Sequence, residues 1–431
     1  MCSANLTRIE EFRQLKKEVR GSENHLIVGV DIAKEKHYAF CGTANGRSLL
    51  RRLIFNNDKD GFEKLVKTAE AISSRELLPN LIFGVEPTAD YHKPLSEYLI
   101  GKGFSVVLVA NGAVKHNREL LDGRWDKNDT KDSANIADLI SQGKFLYYDY
   151  PSAQIRDLRN LLSLKQKVKC QEHSIRMRIR NHLVGQFFPE LDRFYGSRDS
   201  ENLAIVKWCL DPEKIAVMDF REFVQLVSGR DGGPVQQERL YSIQESARKS
   251  IGCVAGKSVA FEAKMLVIQL VTLRKSIMEL EAEIHEVSSK LPGYPSVISI
   301  PGVGPVIAAV ILAAIGDPQR FTSSKQVLKL AGLDLSANRS GKNAANVTAK
   351  LSKKGNAGLR YSLYQAALIA SYRNKYFVEY YTRILSGREK ERGIKTKMRV
   401  KLAAKILVTA WSLMKSGKMF DGKYLLATEV R

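Results

Sequence analysis

Two short apolar segments in the first hundred residues each end in a carboxylate. The first is HLIVGVD at residues 25–31, and the second is LIFGVE at residues 81–86. Apolar runs of this length, bounded by polar residues, are typical of buried β-strands. Because open sheets carry their functional groups where strands end, we expect Asp31 and Glu86 to lie at one edge of a sheet.

The surrounding segments predict a mixed sheet covered by helices. Strand or helix patterns occupy five further segments, namely 36–42, 49–55 and 105–110 for strands and 59–73 and 91–100 for helices. Strands that come first and then alternate with helices favour a mixed sheet with helical layers. We therefore predict an α/β domain over residues 25–150, preceded by an N-terminal arm at residues 1–24.

A second pair of acids follows in KNDTKDSANIADLI, residues 127–140. Asp129 and Asp132 are three residues apart at a predicted helix start, so their side chains can share one face. They can converge with Asp31 and Glu86. Four carboxylates lie together only with cations, and their oxygen ligands favour Mg²⁺ or Mn²⁺. Such a cluster fits two-metal phosphodiester chemistry. The alternative is that Asp129 and Asp132 cap their helix while the strand-end acids are solvated.

Charge indicates the kind of partner. The 431 residues carry a net charge of +22, spread along the chain. We therefore expect a polyanionic partner, most commonly nucleic acid. The alternative is that the charge only keeps the protein soluble. The five cysteines form no CxxC pair, which indicates a reducing compartment and no zinc site. The N-terminus lacks a signal-peptide pattern and no apolar run is long enough to span a bilayer, so we expect a cytoplasmic protein with no membrane partner.

The sequence pattern of the middle region, residues 151–292, predicts helices. Its clearest pattern has apolar residues at alternating steps of four and three, at Leu266, Leu270, Leu273, Ile277, Leu280, Ile284, Val287 and Leu291. This spacing predicts a coiled-coil seam. Its partner is either another protomer or a predicted helix around Ile155 in the same chain. We favour dimerisation.

The last region, residues 293–431, begins with SVISIPGVGPVIAAVILAAIG at residues 296–316. Two apolar segments joined by a PGVG turn predict a helix-hairpin-helix-like element in a helical domain. The amides at Gly302 and Gly304 are candidates to bind a DNA phosphate. The alternative is a plain helical hairpin with a glycine turn.

A polar, basic loop follows, within LAGLDLSANRSGKNAANVTAKLSKK at residues 330–354. Its turn-forming residues surround Ser340 and let the backbone approach a ligand closely. The positive side chains, Arg339, Lys342, Lys353 and Lys354 among them, suit a phosphate. The residues alone favour a turn serine that hydrogen-bonds its own loop.

Taken in order, these motifs resemble the DEDD transposases of the insertion-sequence 110 family, bridge-RNA-guided recombinases related to the Piv DNA invertases. The resemblance spans nearly the whole chain and includes VGVDIAKEKH, VEPTADYHKPL, KNDTKDSANIA, IPGVGPVIAAVILAAIGDPQRF, LAGLDLSANRSGK and SKKGNAGLRYSLYQAAL. The four acids match the family's acids in order, and Ser340 falls on its nucleophilic serine. Ala89 stands where the family usually has glycine, and Leu335 replaces a common proline.

The resemblance implies a RuvC-like (RNase H-like) domain, a coiled-coil middle and a helical transposase domain with the catalytic serine. It also implies an active site built from the acids of one protomer and the serine of another, with dimers assembling into a tetramer on two DNA duplexes. The expected partners are target DNA, donor DNA and a noncoding bridge RNA, in the bacterial cytoplasm near the nucleoid. Ser340 would form a phosphoserine ester with one strand, assisted by metal at the four acids.

Two other functions are compatible with parts of the pattern. A metal-dependent junction-resolving nuclease needs only the four acids and an activated water, so its cleavage would survive Ser340→Ala. A nucleic-acid-binding protein that has lost catalysis would bind equally well with alanine at any of the acids. The intact acids and the intact Ser340–Gly341 pair argue against the second.

Overall fold

The computed structural model describes residues 8–122, 129–194, 199–208, 211–229, 232–336 and 350–427. The chain divides into two compact units. The first unit comprises Met1–Pro151 with Gln319–Thr322, and the second comprises Ser152–Pro318 with Ser323–Arg431. Within the described residues, we find no helix with the length and apolar character needed to cross a membrane.

The first unit combines helices with one sheet. Its elements are α1 (Arg8–Val19), β1 (His25–Asp31), β2 (Lys36–Thr43), β3 (Ser48–Asn56), α2 (Lys59–Glu76), β4 (Asn80–Val85), α3 (His92–Gly101), β5 (Ser105–Leu108), α4 (Asn111–Asp122), α5 (Asp129–Ser141) and β6 (Leu146–Tyr147).

The sheet is mixed, as the sequence predicts. Its strand order is β3-β2-β1-β4-β5-β6. Strands β1, β2 and β3 pair antiparallel through short turns, whereas β1, β4 and β5 pair parallel. Parallel strands need a crossover connection, and here the segments that contain α2 and α3 provide it. The short strand β6 pairs antiparallel with β5 at the edge.

The interior of strand β1, residues 26–30, is apolar because both faces of the sheet are covered. Leu26, Val28 and Val30 belong to the core formed with α2 and α3. Ile27, between them, belongs to the opposite core, which includes residues of α1, α4 and α5. Successive side chains of a strand point to opposite faces, so the continuous apolar run supplies both cores.

Two glycines let α5 lie directly on the sheet. A Cβ atom at Gly29 would lie 2.2 Å from the carbonyl oxygen of Ser133, and one at Gly84 would lie 2.0 Å from Cδ1 of Ile140. Gly29 and Gly84 are neighbours in the register of β1 and β4. The contact at Gly29 is with backbone, which cannot swing aside, so this position excludes any side chain.

The second unit is almost entirely helical. Its helices are α6 (Ala153–Met177), α7 (Gly185–Phe187), α8 (Asp199–Trp208), α9 (Pro212–Val217), α10 (Phe220–Ser228), α11 (Pro234–Ala247), α12 (Lys257–Ser289), α13 (Tyr294–Ile298), α14 (Pro305–Ile315), α15 (Ser324–Ala331), α16 (Ala357–Arg373), α17 (Lys375–Leu385), α18 (Ile394–Ser416) and α19 (Lys423–Ala427). Short strands β7 (Leu335–Ser336) and β8 (Lys350–Leu351) form a two-stranded ladder. A π-helical turn, Arg178–Val184, continues α6.

The long helices α6 and α12 pack against each other in the same chain. Three ion pairs cross between them, and they are Lys165–Glu281, Glu172–Arg274 and Arg178–Glu262. Residue numbers rise along one helix as they fall along the other, so the two helices run antiparallel. The seam residues Leu270, Ile277 and Ile284 are buried. The helix around Ile155 is therefore a partner of the seam.

Two further helical groups complete the second unit. Between α6 and α12 the chain builds its own core, which includes Phe188, Phe223 and Leu240. In the C-terminal part, α14 is mostly buried and contacts α16 and α18. Helices α13 and α14, with the turn between them, occupy the predicted helix-hairpin-helix-like segment.

The close contact at Gly29 gives a test of the fold. Gly29→Ala is expected to lower the stability of the first unit by about 1–3 kcal/mol, because the new methyl group collides with the α5 backbone. Gly112→Ala, where a Cβ atom meets nothing within 4 Å, is the matched control. Thermal unfolding of both variants and of wild type tests this: a Gly29→Ala variant that melts no lower than wild type would contradict the role assigned to Gly29, whereas Gly112→Ala should not lower the melting temperature.

Candidate functional site

Asp31 and Glu86 lie side by side at one edge of the sheet. Asp31 is the last residue of β1, and Glu86 directly follows β4. The last paired residues of these parallel strands are Val30 and Val85. Neighbouring strands are about 4.8 Å apart, so the two acids occupy adjacent positions at the strand ends. Both residues are partly exposed.

The second pair of acids lies in the first turn of α5. Asp129 is the first residue of the helix, and its side chain lies outside the described residues. Asp132 is buried, with 1% of its surface exposed. The next residue, Ser133, makes the backbone contact with Gly29 in the strand that ends in Asp31. The first turn of α5 is thereby held against β1.

A buried polar network fixes α5 against α4. The side-chain amide nitrogen of Asn117 donates to Asn135 Oδ1 at 2.6 Å and to Asp138 Oδ2 at 2.8 Å. Asn135 in turn donates to the carbonyl oxygen of Val114 at 2.7 Å. Buried polar groups cost stability unless they are hydrogen-bonded, so this network favours one register of α5. Sequence reasoning missed these residues, and the only available signal was polar residues inside an apolar helix face.

The loop after β1 is held by a buried histidine. The backbone amide of Ala33 donates to His37 Nδ1 at 3.2 Å. The His37 ring lies 5.1 Å from the Phe55 ring and 6.3 Å from the Phe62 ring, measured between centroids. Burial lowers the pKa of His37, so it remains a neutral acceptor at neutral pH. Sequence reasoning, which sought metal-ligand spacing among the histidines, did not identify this role.

The loop after β4 contains a strained residue. Ala89 has a φ of 43°, in the left-handed region. This is the position where the resembled family usually has glycine, and the backbone conformation explains that preference. His92, nearby, is buried and packs edge-on against Tyr148 with centroids 6.3 Å apart. That environment agrees with a packed histidine rather than a catalytic base.

The donor chemistry of the acids suits a hard divalent cation, since all four supply carboxylate oxygens. Among the side chains that the structure describes, no group of three or more His, Cys, Asp or Glu residues is arranged to hold a metal ion. The Asp129 side chain is not among them. Asp31, Glu86 and Asp132 alone therefore do not form a complete metal site.

A short β-ladder joins the described segments on either side of Ser340. Ser340, Arg339 and Lys342 lie outside the described residues. Just before and after them, β7 pairs with β8 through Leu335–Leu351 and Ser336–Lys350. A Cβ atom on Gly355 would lie 2.3 Å from the backbone nitrogen of Gly332, so the two flanking segments cross in direct contact.

Arg360 ties this crossing to the next helix. Its guanidinium donates to the carbonyl oxygen of Ala331 at 2.9 Å. The backbone amide of Asn356 donates to the carbonyl oxygen of Leu330 at 2.8 Å. The described chain that ends at Ser336 and the described chain that resumes at Lys350 are thus held together. Lys353 and Lys354, just after β8, are exposed.

The PGVG turn packs against α16. Gly302 has a φ of 89°, and a Cβ atom there would lie 2.6 Å from the carbonyl oxygen of Ala366. Packing therefore suffices to explain a glycine at this position. Gly304 precedes α14 and has open space around it. Phosphate binding at these two residues stays a prediction.

Protonation of His37 is expected to destabilise the first unit. The unfolded state takes up the proton at the ordinary pKa near 6.5, whereas the folded state resists it. The stabilising contribution is complete above about pH 6.5 and decreases as the pH falls toward the lowered pKa. Its slope is up to about 1.4 kcal/mol per pH unit. Urea unfolding between pH 7.5 and 5.5 should show a shallower pH dependence for His37→Gln than for wild type. His182→Gln, at an exposed histidine, should keep the wild-type slope.

Ala89→Gly is expected to stabilise the protein by about 1 kcal/mol, because glycine adopts positive φ without steric strain. The same replacement at Ala71, exposed within α2, should instead cost about 1 kcal/mol. Thermal unfolding compares the two variants directly. A lower melting temperature for Ala89→Gly would mean that the left-handed backbone at Ala89 carries no strain.

Two family models match this chain. A family model for DEDD transposases of the IS110 type, described as Transposase, matches residues 28–189 and so covers the four acids. A second model, described as Transposase IS116/IS110/IS902 family, matches residues 295–382 and covers Ser340. Together the two matches include more than half of the chain.

Two curated relatives match almost end to end. The 43.6 kDa protein of insertion element IS110 from Streptomyces coelicolor is 24% identical over 420 residues, covering 94% of this chain and 98% of the relative. The 44.8 kDa protein of insertion element IS116 from Streptomyces clavuligerus is 23% identical over 406 residues, covering 92% and 96%. Transposases are enzymes that bind DNA, cut it and rejoin it. With both family models matched in order, the chain belongs to the IS110 family of insertion-sequence transposases.

Proposed function

We propose that this transposase cuts and rejoins DNA strands through a phosphoserine intermediate at Ser340, assisted by Asp31, Glu86, Asp129 and Asp132. One observation carries the part of the proposal that concerns the acids. Helix α5, which begins with Asp129, lies on β1, the strand that ends in Asp31. The acids that sequence reasoning grouped are thus carried by elements in direct contact.

The first unit is proposed to be a RuvC-like (RNase H-like) domain. The six-stranded mixed sheet supports this, with an antiparallel meander on one side of β1 and parallel strands on the other. Two of the acids follow adjacent parallel strands. This is the edge at which open sheets carry their sites.

The four carboxylates are proposed to hold Mg²⁺ or Mn²⁺. When bound, such a cation would neutralise charge that develops on the phosphate. The protein's own contribution is to hold the acids in place. Gly29 admits α5, the Asn117 network fixes its register, and His37 fixes the loop after Asp31.

The proposed reaction conserves phosphodiester bonds. The Ser340 hydroxyl oxygen attacks the scissile phosphorus, and one P–O bond to a sugar oxygen breaks as the new bond forms. The serine loses its proton, and the departing sugar oxygen gains one. In the second step a sugar hydroxyl of the exchanged strand attacks the phosphoserine ester and frees the serine. Because bond energy is retained in the ester, no ATP is needed.

The proposal includes a noncoding bridge RNA that pairs with target and donor DNA, in the bacterial cytoplasm near the nucleoid. The net charge of +22 supports a nucleic-acid partner.

The proposed working form is a dimer that assembles into a tetramer. Exposed apolar side chains on α12, at Phe261, Val271 and Met278, support contact with another protomer.

The covalent intermediate is directly testable. Protein incubated with its element's flanking DNA, the RNA encoded there and Mg²⁺ should yield SDS-resistant protein–DNA adducts. Ser340→Ala should abolish the adduct, since the nucleophile is gone. Asp129→Asn should reduce it at least about 100-fold, since a ligand for the cation is lost. Circular dichroism would check that both variants fold.

Two outcomes would contradict the proposal. DNA nicking that persists in Ser340→Ala without any adduct would favour a metal-dependent nuclease that uses water. An adduct that survives Ser340→Ala would place the nucleophile elsewhere. Replacing Ser336, which lies in β7 at the start of the loop, with alanine provides the serine-to-alanine control.

A further inference from the structure

A group of six cations surrounds the start of α18, and we name it the α18 basic cluster. Its members are Lys390, Arg392, Lys395, Lys397, Arg399 and Lys401. All are exposed except Arg399, which is half-buried. None forms an ion pair with an acidic residue in the part of the chain that the structure describes. The cluster lies beyond residue 382, where the second family match ends.

The nearby acids are engaged elsewhere. Glu391 accepts two hydrogen bonds from the Arg388 guanidinium, at 2.7 and 2.8 Å. Glu389 accepts from the backbone amide of Gly387 at 3.1 Å. Both acids therefore stabilise the turn before α18. The sequence contains no further Asp or Glu between Arg392 and Phe420. The hydrogen bond from Arg388 is the main cause that lowers the pKa of Glu391, and the charge of Lys397 adds to it without forming an ion pair.

Stabilisation of α18 does not explain this arrangement. The positive end of the helix dipole lies at the N-terminus, where acidic side chains are favourable and cations are not. The first turn of α18 contains no acid, and its N-cap residue, Gly393, supplies no side-chain cap. Lys397 and Lys401 are one turn apart, a spacing at which like charges repel. Lys395 and Lys397, in the first turn, are thus placed against the preference of the helix that carries them.

The helix beneath the cluster is anchored to the core. Met398, Leu402 and Ile406, on its inner side, are buried against the core. Tyr381 donates from its hydroxyl to the carbonyl oxygen of Lys395, linking α17 to the first turn of α18. The cations therefore project from a fixed support. Such a support can hold several charges along one strand of phosphates.

We infer that the α18 basic cluster binds the phosphodiester backbone of a nucleic acid. Six cations within twelve residues match a polyanion better than a single phosphate. Long aliphatic cations contact phosphates without reading base edges, so this contact would position the nucleic acid rather than select its sequence. The inference rests on the proposed function, in which DNA and RNA are both bound.

The test removes three charges at two places. One variant carries Lys395→Gln, Lys397→Gln and Lys401→Gln in the cluster. The matched control carries Lys249→Gln, Lys257→Gln and Lys264→Gln, three exposed lysines near the start of α12. Both have the same net charge and residue types. Thermal unfolding would check that each variant is folded.

The measurement is the affinity for a duplex DNA and for a hairpin RNA, each from the element's flank, as a function of salt concentration. Each phosphate contact in duplex DNA contributes about 0.9 to the magnitude of the slope of log K against log salt. If the three lysines contact duplex phosphates, that magnitude should therefore fall by about 2–3 in the cluster variant. Single-stranded contacts would lower it by about 2. The probe whose slope changes identifies which nucleic acid is bound.

Two results would overturn the inference. Equal slopes for wild type and the cluster variant would show that the cluster makes no phosphate contact. Equal losses in the cluster and control variants would show an effect of net charge alone. The adduct assay distinguishes failure of this inference from failure of the proposed function. If adducts form but the salt slope is unchanged in the cluster variant, the phosphoserine mechanism is still supported and only the binding surface is refuted. If the salt slope falls but no adduct forms, only the binding surface is supported.

Discussion

The candidate site depends on the contact between α5 and β1. A backbone carbonyl of α5 takes the space where a side chain of residue 29 would be, so the helix lies closer to the sheet than any other residue would permit. Closeness alone does not bring acids together, but here the strand ends in Asp31 and the helix begins with Asp129 and Asp132. One missing methyl group thereby determines how near two pairs of carboxylates can come.

Polar groups in the layers around the sheet then remove the remaining freedom. An apolar helix face can slide along a sheet at little cost, whereas a buried amide must find its partner. The bonds among Asn117, Asn135 and Asp138 supply that restraint for α5. His37 does the same for the loop after Asp31, and because only its neutral form accepts the bond, the restraint weakens in acid.

In the second unit, charge serves two different purposes. Between α6 and α12, cations and acids alternate across a packed seam, and three ion pairs favour the antiparallel alignment. Lys165 and Glu172 are largely buried, whereas Arg178 is half-exposed. Exposed pairs contribute only modestly to stability, so the main effect of the Arg178 pair is on orientation. Around the start of α18, cations of the same types lack such partners in the described chain. In the sequence, the cations between α6 and α12 and those of the α18 basic cluster are simply Lys and Arg residues. The structure distinguishes them, because it shows acidic partners for the first group and no ion pairs for the second in the described chain.

The sequence by itself determined the five longer strands and the two helices between them, the mixed sheet, the edge shared by Asp31 and Glu86, and the family. Those features follow from local periodicity and from short motifs whose order survives at low identity. Tertiary structure decided what local pattern could not. The seam of α12 has the same period whether it meets another chain or α6, and only the fold shows the intrachain partner. Likewise the roles of Gly29, Asn117 and His37 depend on residues distant in sequence, because a contact requires two surfaces and a sequence pattern describes only one.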